Sequence, residues 1–366
     1  MQTRHRTSIL QLAVIEPRCQ TVCESGIYSD GFMRCHFLAL RFAPLLVVLS
    51  GCVAAPGGES PKAQGQPAVG DEATPMPASD SSEPLDPSRT WVVLLGTGTP
   101  ASEPDRFGPS TAVVAGGTAY LIDAGAGVVR RAAAAAMVTG LQALNAPNLR
   151  VAFLSHLHSD HTLGYPDLIL SPWVLGRATS LAVYGPSGLE AMTTALLEAY
   201  REDIRVRVEG PERLRRDLLA VETHEIAPGL IYEDPVMRVE AFAVPHGTWD
   251  VAFGFKLTTA DRTIVISGDT GPFDGLVEIA AGADVLIHEA YGAEGLRQRE
   301  PETQRYHGTF HTSAIKVGEI AARAGVGMVI LHHQLHLAGE TPEEMVEEVR
   351  LSFDGEVVYG RDLDAF

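Results

Sequence analysis

The sequence predicts an α/β fold in which two β-sheets pack face to face and helices cover their outer surfaces. Apolar runs rich in Val, Ile, Phe and Thr come in two successive blocks, each passing from strands into helices. With 45% hydrophobic and 20% charged residues the composition is that of an ordinary globular protein. The about 275 residues after the first ninety are enough for one buried core. A dense run of potential metal ligands also follows directly on a short buried strand.

The elements follow in order. Residues 91–95 form a strand that ends in the turn Gly96-Thr97-Gly98-Thr99-Pro100. Residues 111–115 and 119–122 read as a hairpin around Gly116-Gly117. An alanine-rich helix spans 128–144, and 151–154 is a short buried strand. Helices at 166–175 and 188–200 flank a strand at 181–184. Residues 237–244, 251–258, 263–267 and 285–287 are strands. Helices at 312–324 and 342–350 flank a strand at 328–331. There is no internal repeat at short period.

The first ninety residues read as an address and a tether. From Met33 a basic start (Arg34, Arg41) leads through an apolar stretch into Leu49-Ser50-Gly51-Cys52, the plan of a secretory signal with a small-residue cleavage site. It resembles a bacterial lipobox, with Met33 as the start and Cys52 as the lipidated N-terminus. Residues 1–52 are then a pre-sequence, and the apolar run is too short to span a bilayer, which takes about 20 residues. Residues 53–88, rich in Pro, Gly, Ala and Ser, form a disordered tether. Residues 89–366 form the folded domain, carried on the cell envelope through the lipid anchor, periplasmic or at the outer membrane. Cys19, Cys23, Cys35 and Cys52 all precede that domain, so its metal ligands must be His, Asp or Glu. The formal net charge is -18, with 46 acids against 28 Lys and Arg. The pre-sequence removes Arg4, Arg6, Arg18, Arg34 and Arg41 against Glu16, Glu24 and Asp30, so the acidity belongs to the rest of the chain. A surface of this sign repels a phosphate backbone, and nucleic acid is not the expected partner.

Ser155-His156-Leu157-His158-Ser159-Asp160-His161 follows the strand at 151–154. On extended backbone His156 and His158 share a face, and the loop beyond can turn Asp160 and His161 toward a second ion. Neutral imidazoles with a carboxylate suit zinc or a similar first-row metal. Farther on stand Leu121-Ile122-Asp123-Ala124-Gly125, Val244-Pro245-His246-Gly247, Ser267-Gly268-Asp269-Thr270 and Leu331-His332-His333, each at the end of a predicted strand.

Taken together, these segments resemble the five signature motifs of the metallo-β-lactamase superfamily, over the chain from about Trp91 to its end. The resemblance implies a metallo-β-lactamase αββα sandwich, two mixed β-sheets flanked by helices. It implies two Zn2+, with Mn2+ or Fe2+ as substitutes. One ion would take His156, His158, His246 and Asp269; the other would take Asp160, His161, Asp269 and His333. Asp123 would brace the metal loop without binding metal. His332 and His333 point to opposite faces of a strand; the family register favours His333, with His336 a remote third choice.

Leu95-Gly96-Thr97-Gly98-Thr99-Pro100, His288-Glu289-Ala290 and His311-Thr312-Ser313 resemble the ribonuclease Z and arylsulfatase-like branch. There His311 would be a catalytic acid near the leaving group and Glu289 would orient it, with His307 the substitute. His288 would stand behind the ligands. The leading expectation is a dinuclear hydrolase of small phosphodiester or aryl sulfate esters that attacks through a metal-bridged hydroxide held by Asp160. A cyclic-nucleotide phosphodiesterase, a ribonuclease Z-like phosphodiesterase and a non-catalytic metal-binding envelope lipoprotein are the alternatives. Only 22 residues, 247–268, separate His246 from Asp269, which leaves no room for the tRNA-clamping arm of bacterial ribonuclease Z. The arginines from Arg201 to Arg216 are interleaved with acids and read as a solvated helix face. The branch often forms homodimers.

Overall fold

The computed structural model describes residues 84–366; the expected pre-sequence, Cys52 and the expected tether up to residue 83 fall outside the described residues. Of the segment 53–88 expected as a disordered tether, residues 84–88 are described, and Leu85 packs on the domain, its N–H donating to the Thr139 carbonyl at 2.9 Å. The first half of the described chain builds one sheet. Strands β1 (Trp91–Gly96), β2 (Ser110–Ala115) and β3 (Thr118–Ile122) are antiparallel neighbours. Strands β4 (Val151–Phe153), β5 (Leu181–Gly185) and β6 (Val221–Glu225) then extend the sheet in parallel from β3. The intervening helices are α1 (Val128–Thr139), the single turn α2 (Ser159–Thr162), α3 (Tyr165–Val174), α4 (Leu189–Ala199) and α5 (Arg201–Glu209).

The second half repeats the plan. Strands β7 (Gly229–Glu233), β8 (Arg238–Ala243), β9 (Phe253–Thr258) and β10 (Thr263–Ile266) are antiparallel. Strands β11 (Val285–Tyr291), β12 (Met328–Leu335) and β13 (Glu356–Tyr359) continue in parallel from β10. Helices α6 (Leu276–Ile279), α7 (Ala293–Arg297), α8 (Pro301–Phe310), α9 (Ala314–Ala324) and α10 (Pro342–Arg350) complete the order. Both sheets are therefore mixed, one of six strands and one of seven.

Burial explains the layering. Val92, Leu94, Val113, Tyr120 and Phe153 of the first sheet meet Val239, Phe255, Leu257, Ile264 and Ile287 of the second in one apolar layer. The opposite face of the first sheet packs on α1 and α3, and that of the second on α9 and α10. Strands covered on both faces read as unbroken apolar runs, as β1 and β2 do. The result is the expected αββα sandwich.

Several elements differ from the sequence reading at their ends. Gly140 closes α1 at Thr139, and a separate 3-10 turn holds Gln142–Leu144. Strand β12 runs to Leu335 with a register shift opposite Glu289 and Ala290, which bends it beside the ligand segment. Ser313 caps α9, and Thr341 with Glu344 forms a capping box on α10. The C-terminal residues return to the first sheet. Leu363 N–H donates to the Leu94 carbonyl at 2.7 Å, and Phe366 N–H to that of Val92 at 2.9 Å. Among the described residues no helix is long and apolar enough to cross a membrane.

Candidate metal centre

The ends of β4, β8, β10 and β12 converge at one rim of the sandwich. After β4 the backbone stays extended through His158, and α2 begins at Ser159. His156 and His158 therefore turn to the same side, with His156 Nε2 2.9 Å from His158 Nδ1. His246, just past β8, places Nε2 3.2 Å from the same His158 nitrogen. The α2 turn carries Asp160 and His161 to a second cluster. His161 Nε2 stands 3.5 Å from Asp160 and 3.3 Å from Asp269; His333 Nε2 stands 3.1 Å from Asp160 and 3.5 Å from Asp269. Asp269, after β10, thus lies between the two groups.

Local backbone features aim these side chains. Asp123 follows β3 with a φ of 61°. Its carboxylate accepts from Ser155 N–H at 2.8 Å, from Ser155 Oγ at 2.9 Å and from His161 Nδ1 at 2.9 Å. Those bonds fix the metal loop and direct His161 Nε2 inward. His246 Nδ1 donates to the Phe310 carbonyl at 2.8 Å, which directs its Nε2 inward in the same way. Gly268 carries Asp269 into place at a φ of 60°, where a Cβ would lie 2.4 Å from the Phe253 carbonyl. His333 has a φ of 45°. This break in β12 turns it to the cluster, while His332 Nε2 bonds the Gly96 carbonyl at 2.9 Å. His336 lies apart, bonded to the Glu340 carbonyl and the Tyr359 hydroxyl.

The donor set fits divalent cations. Four groupings place their candidate donor atoms within 4.8 Å of one another: His156, His158 and His246; His156, His161 and Asp269; Asp160, His161 and His333; and Asp269, His311 and His333. Asp123, Asp160 and Asp269 are buried, and their ion-pair partners are the imidazoles of His161 and His333. Buried carboxylates without Lys or Arg call for another positive charge. His161 Nε2 faces two of them without a hydrogen bond. Burial pushes His156 well below the usual histidine range and His246 down to about 4, which keeps their lone pairs free at neutral pH. Burial also opposes the charge on Asp269, but His333 and His161 overcome it and hold that carboxyl well below its usual range.

His311 and Glu289 adjoin the second cluster. His311 Nδ1 is 3.3 Å from the Glu289 carboxylate, whose other oxygen accepts from Thr312 N–H at 2.7 Å. The His311 ring lies 5.8 Å from that of His333 and 5.5 Å from that of His246. Burial pulls the His311 pKa down, but Glu289 outweighs it and the net direction is up. His307 stays outside, its ring 5.8 Å from that of His311. His288 is turned aside, its Nδ1 donating to the Glu289 carbonyl at 2.6 Å.

Sequence reasoning missed Trp249. Its indole N–H donates to His158 Nε2 at 2.7 Å, and the ring stands edge-on to the imidazole. The signal was its place three residues after His246. The arginines of α5 pair with neighbouring acids, Arg205 with Glu202 at 3.2 Å and Arg207 with Asp203 at 3.0 Å, and so offer little free positive charge.

Comparison with known proteins agrees with this geometry. Residues 118–334 match the family model described as a beta-lactamase superfamily domain. The Ribonuclease Z of Mycobacterium bovis (strain BCG / Pasteur 1173P2) is 32% identical over 276 residues, covering 74% of this chain and 96% of that protein. The Ribonuclease Z of Mycobacterium sp. (strain KMS) is 37% identical over 250 residues, 67% of this chain and 84% of that protein. The short form of human tRNase Z superposes with a TM-score of 0.56 at 21% identity, over 75% of this chain and 98% of that one. The fold protein YhfI of Bacillus subtilis gives a TM-score of 0.57 at 19% identity, over 76% and 99%. The two mycobacterial relatives favour the ribonuclease Z-like alternative over the leading reading of small phosphodiester or aryl sulfate esters, and they lend nothing to its sulfate part. They also weigh against the expectation, drawn from acidity, that nucleic acid is no partner. Family and fold imply a divalent metal, typically zinc, and a hydrolase. The chain belongs to the beta-lactamase superfamily, in its metallo-β-lactamase fold, with ribonuclease Z proteins among its homologues.

Proposed function

We propose that this protein is a metal-dependent phosphodiesterase with ribonuclease Z-like machinery. His156, His158, His246 and Asp269 would hold one divalent ion, and Asp160, His161, Asp269 and His333 the other. When bound, the pair supplies Lewis acidity and a water acidified toward neutral pKa. The chain's own groups do the rest. Asp160, between the second cluster and the surface, orients the attacking water and takes its proton. His311 gives a proton to the leaving oxygen as the ester bond breaks. Glu289 positions His311 by holding Nδ1, which leaves Nε2 to face the substrate.

The observation that carries this reading is the buried His311–Glu289 pair beside the second cluster, 3.3 Å apart. The relatives' name, a ribonuclease, favours phosphorus over sulfur. The test uses the full chain loaded with zinc on bis-nitrophenyl phosphate, nitrophenyl sulfate, a cyclic nucleotide and a short RNA. Phosphodiesters should turn over, and Asp160→Ala should abolish turnover. His311→Ala should retain both metals and lose about 10²–10⁴ in rate on ribose or alkyl phosphodiesters. Nitrophenyl esters, whose leaving group needs little protonation, should lose less. Loss of one metal from His311→Ala would make this residue a ligand instead. Turnover of the sulfate alone would overturn the phosphodiesterase reading.

A further inference from the structure

A cleft of about 350 Å3 opens beside Asp160 and Ser159. Its walls include Pro100, Ala101, Pro104, Phe107, Ala126 and Leu163. Phe107 is 36% exposed and Leu163 63% exposed, so both offer apolar surface at the mouth of the candidate site. The Phe107 ring is held in place. The Arg131 guanidinium lies over it at 4.6 Å, and its edge rests where a Cβ on Gly127 would collide at 2.4 Å.

Charge is largely cancelled here. Arg106 is the basic residue of the lining, and its guanidinium bonds Glu103 at 2.8 Å, the Thr97 carbonyl and the Gln334 side chain. No other cation lines the cleft among the described residues, so a second phosphate of a polynucleotide would find no free partner there. The Thr99 hydroxyl accepts from Ala101 N–H at 3.2 Å, and Ser102 and Ser159 carry the other hydroxyls of the lining.

We propose that this cleft is a substrate subsite for an apolar, ring-sized ester group of a small phosphate ester whose phosphoryl group lies at Asp160. The inference rests on the phosphodiesterase reading above and names its substrate class. The volume suits one fused ring, and apolar side chains contribute most of the lining surface, with a small set of polar groups beside them, as in small-ligand pockets. The phosphoryl group is placed by the ligand cluster, and Phe107 with Leu163 select the group it carries.

The experiment is calorimetric titration of the full chain loaded with zinc, using inorganic phosphate, thymidine 5′-phosphate and 1-naphthyl phosphate. Naphthyl phosphate should bind about tenfold or more tighter than inorganic phosphate, and tighter than the nucleotide. Leu163→Asn, at an exposed position, should erase that advantage and leave inorganic phosphate unchanged; Phe107→Ser should do the same. Equal binding of the three ligands, tighter binding of the nucleotide, or an equal loss for all in Leu163→Asn would overturn the subsite. Naphthyl selectivity that depends on Leu163, in a protein that turns over no phosphodiester, would keep the subsite and remove the function on which it was built.

Discussion

His158 is held from two sides, and its two nitrogens make opposite demands. Nδ1 faces His156 and His246, as a ligand nitrogen would, while Nε2 accepts the Trp249 indole N–H at 2.7 Å. An indole only donates, so this contact needs a lone pair on Nε2. A cation at Nδ1 would leave the imidazole proton on Nε2 and turn the indole away. Zinc added to the stripped protein is therefore expected to change its tryptophan emission, and Trp249→Phe to remove most of that change although Trp91 and Trp173 remain. An identical response in the variant would place the signal elsewhere. Asp123 gives a second test at this scale. It holds both Ser155 and His161, and losing such a partner costs about 10–100-fold in metal affinity. Asp123→Ala should show that loss by competition with a chromophoric chelator while the fold, read by circular dichroism, persists; unchanged affinity would reduce the bracing to packing.

Among the elements, those that hold the site were the most legible in the sequence. β4 and β10 read as short apolar runs with ligands just past their ends. β6 and β7 were missed because they are short and half open to solvent, with patterns such as Val-Glu-Thr-His-Glu that show no buried face. Helix α8 was missed for a similar reason: none of its residues is buried, so it carries no apolar stripe. The choice between His332 and His333 rested on family register, and in the structure it follows from one positive φ that no pattern of side chains announces. The β7–β8 hairpin has its own chemistry. Asp234 accepts from Tyr120 at 2.6 Å, Tyr232 at 2.7 Å and the backbone of Val236 and Met237 at 2.8 Å each. Burial opposes its charge, but these donors prevail and its pKa is lowered. The stabilisation is then present above the unfolded value of about 3.9 and is lost as pH falls through the lowered folded value. Asp234→Ala should cost about 2 kcal/mol at pH 7, and denaturant titrations should show the gap to the parent closing as pH falls from the unfolded value through the lowered folded one. A gap independent of pH would mean that packing of the two tyrosines, and not the carboxylate, fixes the hairpin.

At the scale of the whole molecule the candidate centre joins two sheets that otherwise meet through an apolar layer. His156, His158, Asp160 and His161 come from connections of the first sheet; His246, Asp269 and His333 come from the second. The C-terminal residues, paired back onto β1, are the other cross-tie. Ions held between the halves would stabilise the native chain by mass action, since the separated ligands of an unfolded chain bind poorly. At free zinc about a thousandfold above its dissociation constant, each site contributes about 4 kcal/mol. A domain of this size shifts by about 2–4 °C per kcal/mol. Stripping both ions with a chelator is thus expected to lower the melting temperature by roughly 10 °C or more in one cooperative transition, read by calorimetry, with restoration on adding zinc. A second, separate transition after stripping would show that the apolar layer couples the sheets less tightly than the ions do. No shift at all would mean that the buried carboxylates and imidazoles satisfy one another without a cation, against the donor geometry from which both ion sites were inferred.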